Sequence, residues 1–202
     1  MLWRRWIALP LLLGLTFPAM STVESDLVLL PPPEATITIS EDGHTATLTG
    51  ELGEGISARL AAIMTEHPGL RRLALTSEGG FVEEARSLGA LVATSKLETY
   101  VPRYCVSACT LVFVRGSARI AEPGARLGFH APYVTDAAGQ EIQVDADDER
   151  EAYVGAGIDP GFAREALDVA SSEIWFPDPD RLVAAGVVTR YASAPEGTAP
   201  RR

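Results

Sequence analysis

Lysine is nearly missing from this chain: Lys96 is the only one among 202 residues. Arginine brings the basic side chains to 17, against 27 acidic ones, a formal charge of −10. A surface of that sign repels phosphate backbones and anionic headgroups, which argues against nucleic acid and anionic membrane as partners. Histidine is scarce too, with only His44, His67 and His130. Cysteine is limited to Cys105 and Cys109. One nearby histidine and no second cysteine pair do not make a zinc site, and neither metal nor cofactor is expected. Internal repeats are absent. Long apolar runs are confined to the N-terminus, where Trp6 to Phe17 falls short of the about 20 residues a comfortable span needs.

What is present begins with that N-terminus. Arg4 and Arg5 precede the apolar run, and small residues Ala19 and Ser21 follow it. This is the layout of a secretory signal peptide over 1–21, and a periplasmic or secreted protein is expected. The competing reading is an uncleaved anchor. Removing 1–21 leaves 15 basic side chains against 27 acidic ones, a formal −12. Residues 22–34 contain PPPE and read as a linker; 192–202, with two prolines and a glycine, read as a disordered tail. The remaining 35–191, in a chain with 47% hydrophobic residues, suit one domain with a sizeable core. An exported chain meets oxidising conditions. Cys105 and Cys109 then form a disulfide, a spacing unusual on a regular helix, or stay as two small buried side chains.

Alternating β-branched runs at 35–40 and 45–52 flank Glu41-Asp42-Gly43-His44, a hairpin signal. His44 is read as exposed in that turn. Ile56, Leu60, Ile63 and Met64 recur at helical spacing, which predicts a helix over 56–67 stopped by Pro68-Gly69. His67 in its last turn complements the helix dipole. A strand at 71–77, the turn 77–80, a helix at 81–95 and a strand at 97–102 follow. CVSACTLVF (105–113) reads as a buried helix, and 118–123 and 126–130 as short strands. Strand and helix alternate, as in right-handed crossovers on a mostly parallel sheet with flanking helices. Beyond Pro132 the acidic stretch reads as a surface loop leading to a helix near 145–156. Helices at 160–172 and 178–186 and a strand at 187–191 complete the reading.

Ser107 stands at the start of an apolar helix and His130 at the end of a strand. A serine hydroxyl becomes a nucleophile when a base takes its proton. The oxyanion formed on attack needs two N–H donors. One can come from Ala108; the other from Gly79 or Gly80, where a missing Cβ lets a substrate approach. Such an open turn can also pair with an extended peptide.

These motifs, Ser77-Glu78-Gly79-Gly80, Val106-Ser107-Ala108-Cys109-Thr110-Leu111-Val112-Phe113, and Pro123 followed by Arg126-Leu127-Gly128-Phe129-His130-Ala131-Pro132, stand in one order. In that order and near that spacing they resemble the Clp protease proteolytic subunit and crotonase superfamily, most of all its exported bacterial members. The resemblance covers roughly 45–190. It implies an α/β fold of the Clp protease/crotonase-like type and a serine peptidase with Ser107 as nucleophile, His130 as base and Gly79, Gly80 and Ala108 around the oxyanion. The family turn has proline where this chain has Glu78. Its third triad member, an Asp, aligns on Ile174; Glu173 is taken as the replacement, with Asp178 or no third residue as the alternatives. A peptide or protein substrate is expected, with homo-oligomers possible and no ATPase partner. Two rivals stand beside this reading: a non-catalytic periplasmic binding or assembly module, and an acyl-group enzyme of crotonase type.

Overall fold

The computed structural model describes residues 35–193. The expected signal peptide (1–21) and linker (22–34), and the tail from 194 onward, lie outside the described residues. The elements run β1 (Thr36–Ile39), β2 (Thr45–Thr49), α1 (Ile56–Glu66), β3 (Arg72–Thr76), α2 (Val82–Thr94), β4 (Glu98–Val101) and β5 (Tyr104–Val106). Then come α3 (Ala108–Phe113), β6 (Arg119–Ala121), β7 (Arg126–Gly128), β8 (Tyr133–Thr135) and β9 (Glu141–Gln143). The last are α4 (Asp147–Gly155), α5 (Pro160–Asp168), α6 (Pro179–Ala184) and β10 (Arg190–Tyr191). No described helix is long and apolar enough to cross a membrane.

The hairpin forms where the turn signal places it. Gly43 takes φ 71°, and Asp42 accepts hydrogen bonds from the Ser40 hydroxyl (2.6 Å) and the His44 N–H (3.0 Å). From β2 onward the chain winds as crossovers, because each amphipathic helix must return its apolar face to the growing sheet. The main sheet has the order β1-β2-β3-β4-β6-β10, antiparallel only between β1 and β2. The fold is a mostly parallel α/β sheet with flanking helices, as expected.

A second, two-stranded parallel sheet joins β5 to β7. It is stitched to the first by a bridge between Ser77 and Cys105, just past the end of β3. This junction places the candidate site segments. Leu48, Leu73, Leu75, Leu88, Val101, Phe113 and Phe129 are buried around it. Helix α2 packs on α1 and α3, and α4 on α5.

Three local readings change. Cys105 and Val106 belong to strand β5 rather than to the expected 105–113 helix, because the Cys105 strand pairs with Leu127, distant in sequence. The helix expected over 160–172 ends at Asp168. Part of the expected loop after Pro132 is the antiparallel hairpin β8–β9, turned by Asp136, whose carboxylate accepts the Ala138 and Gln140 N–H groups at 2.8 and 2.9 Å.

Candidate active site

Ser107 is the single residue between β5 and α3. Its backbone sits at φ 55° and ψ −131°, a conformation that L-residues with side chains rarely adopt. It is held from several directions. Its N–H donates to the Gly128 carbonyl (2.9 Å). Its carbonyl accepts from the Thr110 N–H (2.9 Å) and the Thr110 hydroxyl (2.6 Å). A strand, a strained polar residue and a helix in succession present a side chain at the tip of a sharp turn, as in nucleophile elbows. The Ser107 side chain is half-buried and its hydroxyl makes no hydrogen bond among the described residues.

The glycine turn lies directly beside it. Gly79 and Gly80 take φ 111° and 131°. The Gly79 carbonyl accepts from the Leu52 N–H at 2.6 Å, and the Phe81 N–H donates to the Leu52 carbonyl at 2.8 Å. A Cβ on Gly79 would fall 2.8 Å from the Cβ of Ser107 and 3.0 Å from the Ala108 nitrogen. The two glycines are not equivalent. The Gly79 N–H donates to the Ser77 hydroxyl at 3.1 Å, whereas the Gly80 N–H has no acceptor among the described residues. Ala108 opens α3, so its N–H is likewise without an intrahelical acceptor. Glu78 turns away from the glycines: it is exposed and accepts from the Tyr104 hydroxyl at 2.6 Å. That hydrogen bond pushes the Tyr104 phenol up from its ordinary value.

His130 follows Phe129, which exchanges two backbone hydrogen bonds of 2.9 Å with Trp175. The His130 Nδ1 lies 2.8 Å from the Ala131 carbonyl. A carbonyl only accepts, so Nδ1 is the donor, and in the neutral imidazole the lone pair is on Nε2. The Tyr133 ring stacks on the imidazole, centroids 6.0 Å apart.

Ser107, Ala108 and His130 line one cavity of about 20 Å³, walled by Val82, Leu111, Pro132, Tyr153 and Leu167. That is room for about one water molecule. Tyr153 is buried in it, with its hydroxyl 2.6 Å from that of Thr110; burial pushes its phenol far up. The same wall holds Glu149, which is 4% exposed and paired with Arg86. Sequence reasoning passed over Glu149. It sits in an acidic run that reads as solvated, and its partner is 63 residues away.

The third triad position does not assemble as expected. Glu173 is exposed and lines a separate recess with Glu165, Asp168, Val169, Ala170, Ile174 and Trp175. Asp178 caps α6, accepting the Arg181 N–H at 2.7 Å. Among the described residues no carboxylate bonds to His130; the Ala131 carbonyl occupies that role. Packing explains the shift. Gly128 presses on Ile174 and Phe176, so a Cβ there would lie 2.8 Å from Ile174 Cγ2. The 173–176 segment is thus held by apolar contact and by the Phe129–Trp175 pairing.

Cys105 and Cys109 are joined in a disulfide with their Cα atoms 5.3 Å apart. The bond is accommodated because Cys105 is on a strand and only Cys109 is on the helix. Among the described residues no cluster of side chains could hold a metal ion.

No protein-family model matches this chain, and no curated protein matches it in sequence. Solved structures do match in fold. ClpP1 from Listeria monocytogenes is 14% identical with a TM-score of 0.60, over 78% of this chain and 96% of that one. A mutant of the 1510-N membrane-bound stomatin-specific protease, in complex with a substrate peptide, is 15% identical with a TM-score of 0.59, over 74% of each chain. A second mutant of that protease is 14% identical with a TM-score of 0.56, over 74% of this chain and 78% of that one. The architecture is therefore the ClpP-like α/β fold. Within it, Ser107, the glycine turn and His130 meet at the junction of the two sheets.

Proposed function

We propose that this protein is an exported serine peptidase that works without ATP, with Ser107 as nucleophile and His130 as general base. The conformation of Ser107 carries the reading: a serine at φ 55° between strand and helix, sharing a cavity with a histidine whose Nε2 is free. Residues held in such sparsely populated conformations cluster at active sites.

Nε2 of His130 takes the Ser107 hydroxyl proton as Oγ bonds to the carbonyl carbon of a peptide. The carbonyl π electrons move to oxygen, and the oxyanion receives the N–H groups of Ala108 and Gly80. Gly80 takes this part because the Gly79 N–H is already engaged by Ser77; Gly79 contributes the close approach. The C–N bond then breaks, and the proton on His130 passes to the leaving amine. Water attacks the resulting ester with His130 again as base. The Ala131 carbonyl fixes the tautomer in place of a carboxylate, giving a dyad. A peptide substrate is favoured by the fold relative that was solved with one.

Export is favoured by the Cys105–Cys109 disulfide, a bond that persists in oxidising compartments. An ATPase partner has no place in that setting. Self-association belongs to the same proposal, with exposed Val134 and Ile142 of the β8–β9 hairpin as apolar surface for it.

A binding or assembly module is the second reading. It is favoured by the absence, among the described residues, of a hydrogen bond between Ser107 and His130 and of a carboxylate on the imidazole. Labelling with a fluorophosphonate separates the two. The peptidase requires that wild type be modified at Ser107 and that Ser107→Ala and His130→Ala be spared. A wild-type protein that takes no label across the pH range of about 7.5–9, where an ordinary imidazole is mostly neutral, leaves the binding module.

A further inference from the structure

Cys105 sits where three functional segments converge. On one side it bridges Ser77, at the head of the glycine turn. On the other it pairs with Leu127 in β7, the strand that runs on to His130. Cys109 stands in the first turn of α3. Both cysteines are fully buried. Their bond spans a separation of four residues, and Ser107 is the middle one.

We propose that the Cys105–Cys109 disulfide is the positioning element of the nucleophile, an inference that rests on the serine-peptidase reading. A serine at positive φ persists only where its surroundings over-determine it. The N–H of Ser107 is tied to Gly128 and its carbonyl to Thr110. Those bonds fix its two neighbouring peptide planes, but each leads to a different element. The disulfide joins the elements themselves, the strand before Ser107 to the helix after it. Closing so short a loop removes less chain entropy than closing a long one. Its effect therefore falls on the local turn, and through it on the directions of Ser107 Oγ and the Ala108 N–H. When the bond is cut, Ser107 can relax to negative φ and carry both groups off the substrate carbonyl.

The bond can be opened in two ways. A phosphine reduces it by two electrons, giving two thiols as the phosphine takes oxygen from water and becomes its oxide. Because both sulfurs are buried, this is done by refolding the full chain in tris(2-carboxyethyl)phosphine and checking two free thiols by mass. The Cys105→Ala/Cys109→Ala variant removes the bond without a reductant. The fluorophosphonate labelling rate is then measured against pH for oxidised wild type, reduced wild type and the variant. The expected result is a plateau at least tenfold lower without the disulfide, with the midpoint of the pH profile unchanged, since His130 remains the base. Plateau rates equal within twofold would overturn the proposal.

Amide exchange of oxidised and reduced wild type tests the same point without activity. The Ser107 amide should exchange at least tenfold faster in the reduced protein, while Leu73 and Leu75 in β3 keep their protection. Unchanged exchange at Ser107, or equal acceleration at all three amides, would also overturn the proposal, the latter because the bond would be a general staple. Wild type that takes no label but shows the selective Ser107 change would reject the peptidase, and with it a nucleophile to position, and leave the disulfide only as the brace of the Ser107 turn.

Discussion

A Cβ placed on Gly79 would stand 2.8 Å from the Cβ of Ser107, closer than such atoms approach in folded proteins. The glycine turn and Ser107 are therefore packed as one unit, and a side chain added to Gly79 must move the serine. Gly79→Ala also forces a side chain onto a residue at φ 111°. It should cost about 2–3 kcal/mol of stability from overpacking and backbone strain. Urea unfolding checks that figure. Because the added Cβ meets Ser107 Cβ and the Ala108 nitrogen, the labelling rate of the folded fraction should drop about a hundredfold, as much as if the Ala108 donor proposed for the oxyanion were lost.

Arg86 answers the buried carboxylate of Glu149 at the wall of the candidate site. Removing the cation leaves a buried charge without its partner. Arg86→Ala should lose about 3 kcal/mol by denaturant unfolding. Arg86→Ala/Glu149→Leu, which removes both charges, should recover most of that loss. If the double variant is no more stable than the single one, the pair is not the cause.

Glu84, on α2, accepts the Gly55 N–H at 2.7 Å and the Ser57 N–H at 3.0 Å, and so caps α1 from a neighbouring helix. Donors on Ser57, its hydroxyl and its N–H, together with the Gly55 N–H, hold the Glu84 carboxyl below its ordinary value of 4.5. A carboxyl with a depressed folded value stabilises fully above its unfolded value and loses that contribution as pH falls through the folded one. Glu84→Gln should thus be less stable than wild type by about 1 kcal/mol at neutral pH. The gap should be constant above 4.5 and close below it. Thermal unfolding from neutral pH down to about 3 measures it; a gap that widens on acidification would contradict the cap.

Glu173→Gln should leave the labelling rate within twofold of wild type, since Glu173 is exposed in a separate recess. Asp178→Ala should also label normally while losing about 1 kcal/mol of stability, the value of an N-cap. Strong slowing in Glu173→Gln would mean that this carboxylate reaches His130 during the reaction.

The contrast between Ser107 and Glu149 explains what could be read before folding. The β2–α1–β3–α2–β4 succession is visible because each element carries its own apolar period, and Asp42-Gly43 announces a turn by local chemistry. Ser107, His130 and the glycine turn stand out as residue types in a fixed order. Strand β5 does not, because three residues hold no period and its partner, Leu127, lies in another strand. The positive φ of Ser107 belongs to a turn tied to Gly128 and Thr110 and is not announced by its own residue type. Glu149 is hidden for the same reason: its burial depends on Arg86. The β8–β9 hairpin is exposed throughout, so no buried face marks it. The place expected for a third carboxylate fails because the 173–176 segment is set by apolar contact with Gly128 and Phe129.

The backbone of Ser107 also limits which residues could ever stand there. Threonine, with its branched Cβ, is a poor fit to φ 55°, so that replacement of the proposed nucleophile is closed while cysteine fits sterically. Glycine suits the turn better than serine does. Ser107→Gly should therefore unfold at a higher temperature than the wild-type chain. If so, the most stable version of this turn is one with no hydroxyl to offer, and selection for robustness alone would erase the site.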